Sequence, residues 1–230
     1  MTRRPPAEDP WSRPVLIVDD HELVRAALVA TLRGEGIHAY ACTHVTISGI
    51  LAEAHSLPPG VVLLDLDLGA GPDGRHIDGI DAIGGLRAEG WTVVVLTGSP
   101  GPRSARIAAA IAAGALGQVP KIASFDLLVG NVRQAIGGTA LMTQEDRRGW
   151  LDRDRTERAA ARHRDMLLGR LTARERFVLV QLAEGRRAAE IASESVVAVA
   201  TVRTQIRAIL AKLEVTSQLG AVALLRGEWD

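Results

Sequence analysis

The sequence predicts an α/β domain with a five-stranded, doubly wound parallel sheet, followed by a small all-α helix-turn-helix domain. Short apolar runs alternate with longer amphipathic stretches from Val15 to Ile136. From Thr143 to Arg170 the pattern changes to Arg, Asp and Glu mixed with alanine, and from Leu171 onward every signal is helical.

The strands are read at Val15 to Val18, Ile37 to Ala41, Val61 to Leu64, Thr92 to Leu96 and Leu116 to Val119. A helical stretch follows each, as at His21 to Leu32, where Leu23, Ala26, Ala27 and Ala30 recur at helical spacing. Five β-α units result, and in such sheets ligands sit at the carboxyl ends of the strands. The first domain is set at residues 13–138. An exposed linker with helical tendency covers 139–168, and the second domain 169–227. In the second domain, Thr172 and Glu175 form a capping box and Gly185 closes the helix they start. A short helix around Ala188 to Ala192, a turn from Ser193 to Val197 and a longer helix from about Thr201 to Leu213 come next. The last helix runs from about Ser217 to Leu225.

Of 230 residues, 47% are hydrophobic and 23% charged, which suits a folded globular chain. No apolar run approaches the roughly 18 residues a membrane span needs, and Met1 to Pro14 carries no signal segment. The lone Cys42 leaves no internal disulfide or zinc site and fits a reducing cytosol, so a cytoplasmic location with no membrane partner is expected. With 27 basic and 27 acidic residues the formal charge is zero, so any contact with DNA must come from a local patch.

Asp19 and Asp20 end the first strand and Asp65 the third; if those strands are neighbours, three carboxylates converge. Oxygen ligands of that kind suit a hard divalent cation, most plausibly Mg²⁺. Thr97 and Lys121, at the ends of the fourth and fifth strands, add the hydroxyl and ammonium that a transferred phosphoryl group needs. Acids at single strand ends are usually solvated turn residues, but suitable groups at four strand ends make a site. Lys121 and Lys212 are the only lysines, and a compact ammonium suits a phosphoryl oxygen.

Other readings of these residues are weaker. Gly69, Gly71 and Gly74 spell a dinucleotide fingerprint, but Pro72 breaks the helix start and Asp65 and Asp67 would repel the anion, so a flexible loop is expected. Asp65-Leu66-Asp67 fits the nucleophile motif of haloacid-dehalogenase-type phosphatases, whose other acids lie late in the chain, not before it. His21 is read as a helix-start residue rather than a base.

The segments VLIVDDHELVR, VVLLDLDL, VVVLTGS and GALGQVPK, in this order, resemble the receiver domain of bacterial two-component response regulators over about Val15 to Gly138. The resemblance implies that Asp65 is the phosphoacceptor, that Asp19, Asp20 and the backbone carbonyl of Asp67 join it in holding Mg²⁺, and that Thr97 reports the phosphate. It also implies that Lys121 pairs with the phosphate and that a histidine kinase is the donor. Two departures stand out. Gln118 replaces the usual Tyr or Phe of the aromatic switch, and GAGPDGRHIDG replaces a short turn, with Gly69 where a proline is expected. This longer loop should overhang the site and restrict access.

On the helix from Thr201, Arg203, Thr204 and Arg207 share one face and Val202, Ile206, Ile209, Leu210 and Leu213 the other, with no acid from Thr201 to Lys212. That supplies the local basic face for the major groove. The segments LTARERFVLVQLAEGRRAAEIA and ATVRTQIRAILAKLEVTSQLGAVAL resemble the LuxR-type DNA-binding domain, and with the receiver they indicate the NarL/FixJ class. By that resemblance Arg203 and Thr204 face bases and Arg207 base or phosphate, while Arg186 and Arg187 are weaker candidates for phosphate. A homodimer on double-stranded DNA is expected, through Leu219, Val222 and Ala223 of the last helix. Ala198 stands where a capping serine is common, a loss of about 1 kcal/mol, and Glu214 takes a frequent glycine position.

The reading is a DNA-binding transcriptional response regulator controlled by aspartate phosphorylation in a two-component phosphorelay, not an enzyme. The alternative, motivated by Gln118 and the long loop, is a constitutive DNA-binding regulator whose receiver-like domain works without phosphorylation.

Overall fold

The computed structural model describes residues 13–98 and 104–227. Most of the amino-terminal stretch read as lacking a signal segment (1–12) and Ser99 of the VVVLTGS segment lie outside the described residues. The chain divides into two compact units, 1–154 and 155–230. Among the described residues no helix is long and apolar enough to cross a membrane.

The first unit opens with β1 (Val15–Val18), α1 (Glu22–Gly34), β2 (Ala39–Ala41), α2 (Ile47–His55) and β3 (Val61–Asp65). A two-stranded hairpin, β4 (Asp67–Ala70) and β5 (His76–Asp78), comes next. The unit then runs through α3 (Ile80–Ala88), β6 (Thr92–Thr97), α4 (Ser104–Ala113), β7 (Gly117–Pro120) and α5 (Phe125–Ile136). Five strands form one parallel sheet in the order β2-β1-β3-β6-β7. Alternate residues of each strand feed two cores: Leu16, Val18, Val62 and Leu64 one face, Val15, Ile17, Val61 and Leu63 the other. Helices cover both faces, so β1 and, as far as Leu64, β3 are apolar, and both are buried throughout.

β2 is shorter than the Ile37 to Ala41 expected. Ile37 is buried, but its N–H is taken by Leu32 O at the end of α1 and cannot join the ladder. The segment after Asp65 is not the flexible loop expected but an antiparallel hairpin, closed where Gly71 N–H donates to Arg75 O at 2.7 Å. Leu68 and Ile77 pack it on the first core.

α6 (Gln144–Gly169) occupies most of 139–168. Trp150 and Leu151 belong to the first unit's core, and Leu167 and Leu168 to the second's. The second unit continues through α7 (Ala173–Ala183), α8 (Ala188–Glu194), α9 (Val199–Lys212) and α10 (Gln218–Arg226), packed on Val178, Leu179, Val202 and Ile209. The Thr172 and Glu175 capping box is present, and Gly185 follows α7 in the left-handed region.

Candidate phosphoacceptor site and DNA interface

Pairing of Val18 with Leu64 sets the ends of β1 and β3 side by side, so Asp19 and Asp65 meet. Asp19 is fully buried and Asp65 is 7% exposed. Lys121, just after β7, reaches both: its Nζ donates to Asp65 Oδ2 at 2.6 Å and lies 2.6 Å from Asp19 Oδ2, an ion-pair contact without hydrogen-bond alignment. Its main-chain N–H donates to Thr97 O at 2.6 Å, holding the β6 and β7 ends together. Thr97 lines the same cleft as Asp65. Asp19, Asp20, Asp65 and Lys121 are thus brought together with Thr97 at the rim.

Burial pushes the Asp65 carboxyl above its ordinary value, more than the Lys121 ammonium draws it back, and Asp19 adds to the rise. Burial alone would lower the Lys121 pKa, but its close contacts with the Asp19 and Asp65 carboxylates outweigh it and hold the ammonium above its usual value. One ammonium does not compensate three carboxylates, which is the electrostatic setting for a cation.

The donor set fits Mg²⁺. Ligand atoms of Asp19, Asp20, His21 and Asp65 lie within 4.8 Å of one another, and Asp19 Oδ2 is buried with no aligned donor. His21 is the N-cap of α1, a helix-start position as expected, but its ring also enters the cluster, with Nδ1 2.6 Å from Asp20 Oδ1. That hydrogen bond to Asp20 raises the imidazole pKa.

The hairpin does overhang the acids. A Cβ at Gly69 would meet Asp20 Oδ2 at 3.3 Å, and Gly69 has φ +70°, so both closeness and backbone shape require glycine there. Gly79 closes the hairpin base, where its N–H donates to Leu66 O at 2.9 Å. Asp67 opens β4 with its side chain exposed. The sequence reading missed Arg106 of α4, which donates to Leu66 O at 2.6 Å and pairs with Asp78 at 2.9 Å. Gln118 is half-buried on β7, the edge strand.

In the second unit α9 buries Val202, Ile206 and Ile209 and exposes Arg203, Thr204 and Arg207. Among the described residues neither Arg203 nor Arg207 has a hydrogen-bond or ion-pair partner, whereas the Thr204 hydroxyl donates to Ala200 O at 3.0 Å. Ala198 precedes α9 without a side-chain cap, and Glu214 after it has φ +58°, pinned by Arg170 at 2.5 Å. Arg187 is exposed, and Arg186 is paired with Glu194 and Glu184 at the surface. On α10, Leu219 is 79% exposed, while Val222 is half-buried and packs in part on its own core.

An acidic pocket with a bridging lysine at parallel strand ends, joined to a helix-turn-helix with a bare basic face, defines a phosphorylation-controlled DNA-binding protein. The response regulator receiver domain matches residues 15–133, and the luxR family of bacterial regulatory proteins matches 169–225. The chain belongs to the response regulators that pair a receiver with a LuxR-type DNA-binding domain, transcription regulators controlled by receiver phosphorylation. It is 29% identical over 211 residues to the nitrate/nitrite response regulator protein homolog of Haemophilus influenzae, covering 91% of this chain and 94% of that one. It is 28% identical over 208 residues to response regulator protein VraR of Staphylococcus aureus, covering 90% and 93%. Among solved structures, a complex of the response regulator RcsB with DNA aligns at 21% identity and TM-score 0.48, covering 93% of this chain and 98% of that one.

Proposed function

We propose that Asp65 accepts the phosphoryl group, that Asp19, Asp20, Asp65 and the Asp67 carbonyl hold Mg²⁺, and that a histidine kinase is the donor. The receiver is taken as 13–138 and the DNA-binding domain as 169–227, with 139–168 between them. The supporting observation is the convergence of Asp19, Asp65 and Lys121 with 2.6 Å contacts at buried strand ends.

An Asp65 oxygen attacks phosphorus; the O–P bond forms as the donor's N–P bond breaks, and the electron pair returns to the imidazole nitrogen with a proton. Mg²⁺, when bound, neutralises phosphoryl oxygens. Lys121 leaves its bridge between Asp19 and Asp65 to take one oxygen, and the Thr97 hydroxyl takes another. The second unit binds double-stranded DNA as a homodimer, with Arg203 and Thr204 at bases, Arg207 at base or phosphate and Arg187 at phosphate. Thr204 reaches a base only by giving up its bond to Ala200 O. Leu219, rather than Val222, is the exposed group for the dimer contact. The site of action is the cytoplasm.

The test is intact mass after incubation with Mg²⁺ and phosphoramidate. The wild type should gain one phosphoryl group and Asp65→Asn none. Label that survives the substitution would place the acceptor elsewhere, and no label at all would favour the constitutive regulator.

A further inference from the structure

Arg106 stands in the phosphoacceptor cleft with no part in the roles assigned above. The cleft is walled by Asp65, Leu66, Asp67, Thr97 and Gly98, and among the described residues that line it Arg106 is the one cation. Its guanidinium is parked on two acceptors, Leu66 O at 2.6 Å and Asp78 Oδ1 at 2.9 Å. Both acceptors have a second donor: Gly79 N–H reaches Leu66 O at 2.9 Å, and Ile80 N–H reaches Asp78 Oδ1 at 3.0 Å. If Arg106 leaves, neither oxygen is orphaned, so departure escapes the penalty that normally locks a buried hydrogen bond.

The cleft holds about 20 Å³ of free space, enough for one water. A phosphoryl group on Asp65 is larger than that space and comes up against the side chains that line the cleft. Arg106 is the long side chain there, 31% exposed, and its planar fork matches two phosphoryl oxygens. The phosphoryl group also offers more negative charge than the single Asp78 carboxylate.

We propose that Arg106 is a phosphoryl ligand that swings from Asp78 to the phosphoryl group on Asp65, so that phosphorylation unties the β4–β5 hairpin from α4. The proposal rests on Asp65 being the phosphoacceptor. Arg106 stays protonated, and no bond forms or breaks beyond the O–P bond on Asp65 and the donor bond it replaces. This gives the domain a phosphate-sensing contact that does not need an aromatic residue at Gln118.

The full chain is incubated with Mg²⁺ and phosphoramidate, and the initial rate of labelling at Asp65 is followed by intact mass. Arg106→Ala should slow labelling about tenfold, the worth of one charge-assisted hydrogen bond. Arg106→Lys, which keeps charge without the fork, should fall between it and the wild type. Asp78→Asn keeps an oxygen for Ile80 N–H but weakens the resting hold on the guanidinium, and should speed labelling. The opposite signs are diagnostic, because a purely structural tie between Arg106 and Asp78 would make both variants change alike. Changes of the same sign, or an unchanged rate in Arg106→Ala, with the wild type labelled normally, overturn the proposal alone. No label on the wild type overturns the phosphoacceptor reading and the role of Arg106 with it.

Discussion

In the receiver Asp19, Asp65 and Lys121 face one another largely away from bulk water; in the DNA-binding unit Arg203 and Arg207 face solvent, without a partner among the described residues. Asp19 is fully buried and bridged to Asp65 by Lys121, while Arg203, Arg207 and Arg187 are exposed. A buried polar cluster contributes to folding and to chemistry through the same contacts, so its substitution disturbs both. A basic face on a helix whose other side carries the packing is free to serve recognition alone. Stability and function should therefore be coupled in the first unit and separable in the second.

The largest expected effect tests the coupling. Lys121→Met leaves the Asp19 and Asp65 carboxylates facing each other without their ammonium, at a cost of about 3 kcal/mol in folding. Urea unfolding should recover part of that loss when Mg²⁺ is added. Equal stability with and without Mg²⁺ would mean that the acids do not form a cation site.

The separability is tested at α9. Arg203→Ala should leave the melting temperature unchanged while operator binding weakens by about 1–3 kcal/mol and base preference relaxes. Arg187→Ala should weaken operator and scrambled DNA alike, with a salt slope about one unit shallower. Equal losses on both DNAs for Arg203→Ala would make it a backbone-positioning residue.

The DNA-binding unit also holds a lysine–carboxylate pair, but there the carboxyl shifts the other way from Asp65. Lys212 Nζ donates to Glu175 Oε2 at 2.6 Å, and this contact, with the Thr172 N–H bond, holds the Glu175 carboxyl below its ordinary value. A lowered folded pKa contributes stability above the ordinary glutamate value and loses it as pH falls through the folded value. Lys212→Met should cost about 1 kcal/mol near neutrality, as for a pair open to solvent on one side. The difference from wild type should shrink on acidification; a pH-independent difference would assign the effect to packing.

The smallest effect lies in the turn before α9. Val196 has φ +54° and is 91% exposed, a left-handed conformation that a β-branched residue adopts only under strain. Val196→Gly should stabilise the unit by about 0.5 kcal/mol, the relief exceeding the entropy glycine loses on folding. Destabilisation would show that the valine side chain makes a contact worth more than the strain.

Most of the fold was legible because its signals are local. The apolar runs Val15 to Val18 and Val61 to Leu64, the capping box at Thr172 and the α9 stripe of Val202, Ile206 and Ile209 each follow from residues a few positions apart. The acidic site was legible at one remove, because strands of a doubly wound sheet bring their carboxyl ends to one edge. The hairpin was missed although Leu68 and Ile77 flank a Pro-Asp-Gly turn; three glycines in a row of small residues read as loop when pairing partners are not considered. How much of Val222 its own core covers was not legible, because a helix periodicity gives a face but not its neighbour.

By itself the sequence determined the class of each element, the residue types at strand ends and the basic face of α9, all set by backbone period and side-chain chemistry. Only the tertiary structure decided which charges are engaged. Arg186 is neutralised by Glu184 and Glu194 while adjacent Arg187 stays exposed, and Arg106 reaches Leu66 and Asp78 from a helix that follows another strand. Ion pairs and hydrogen bonds depend on distances of a few ångströms between residues far apart in the chain, and those distances exist only once the cores have closed.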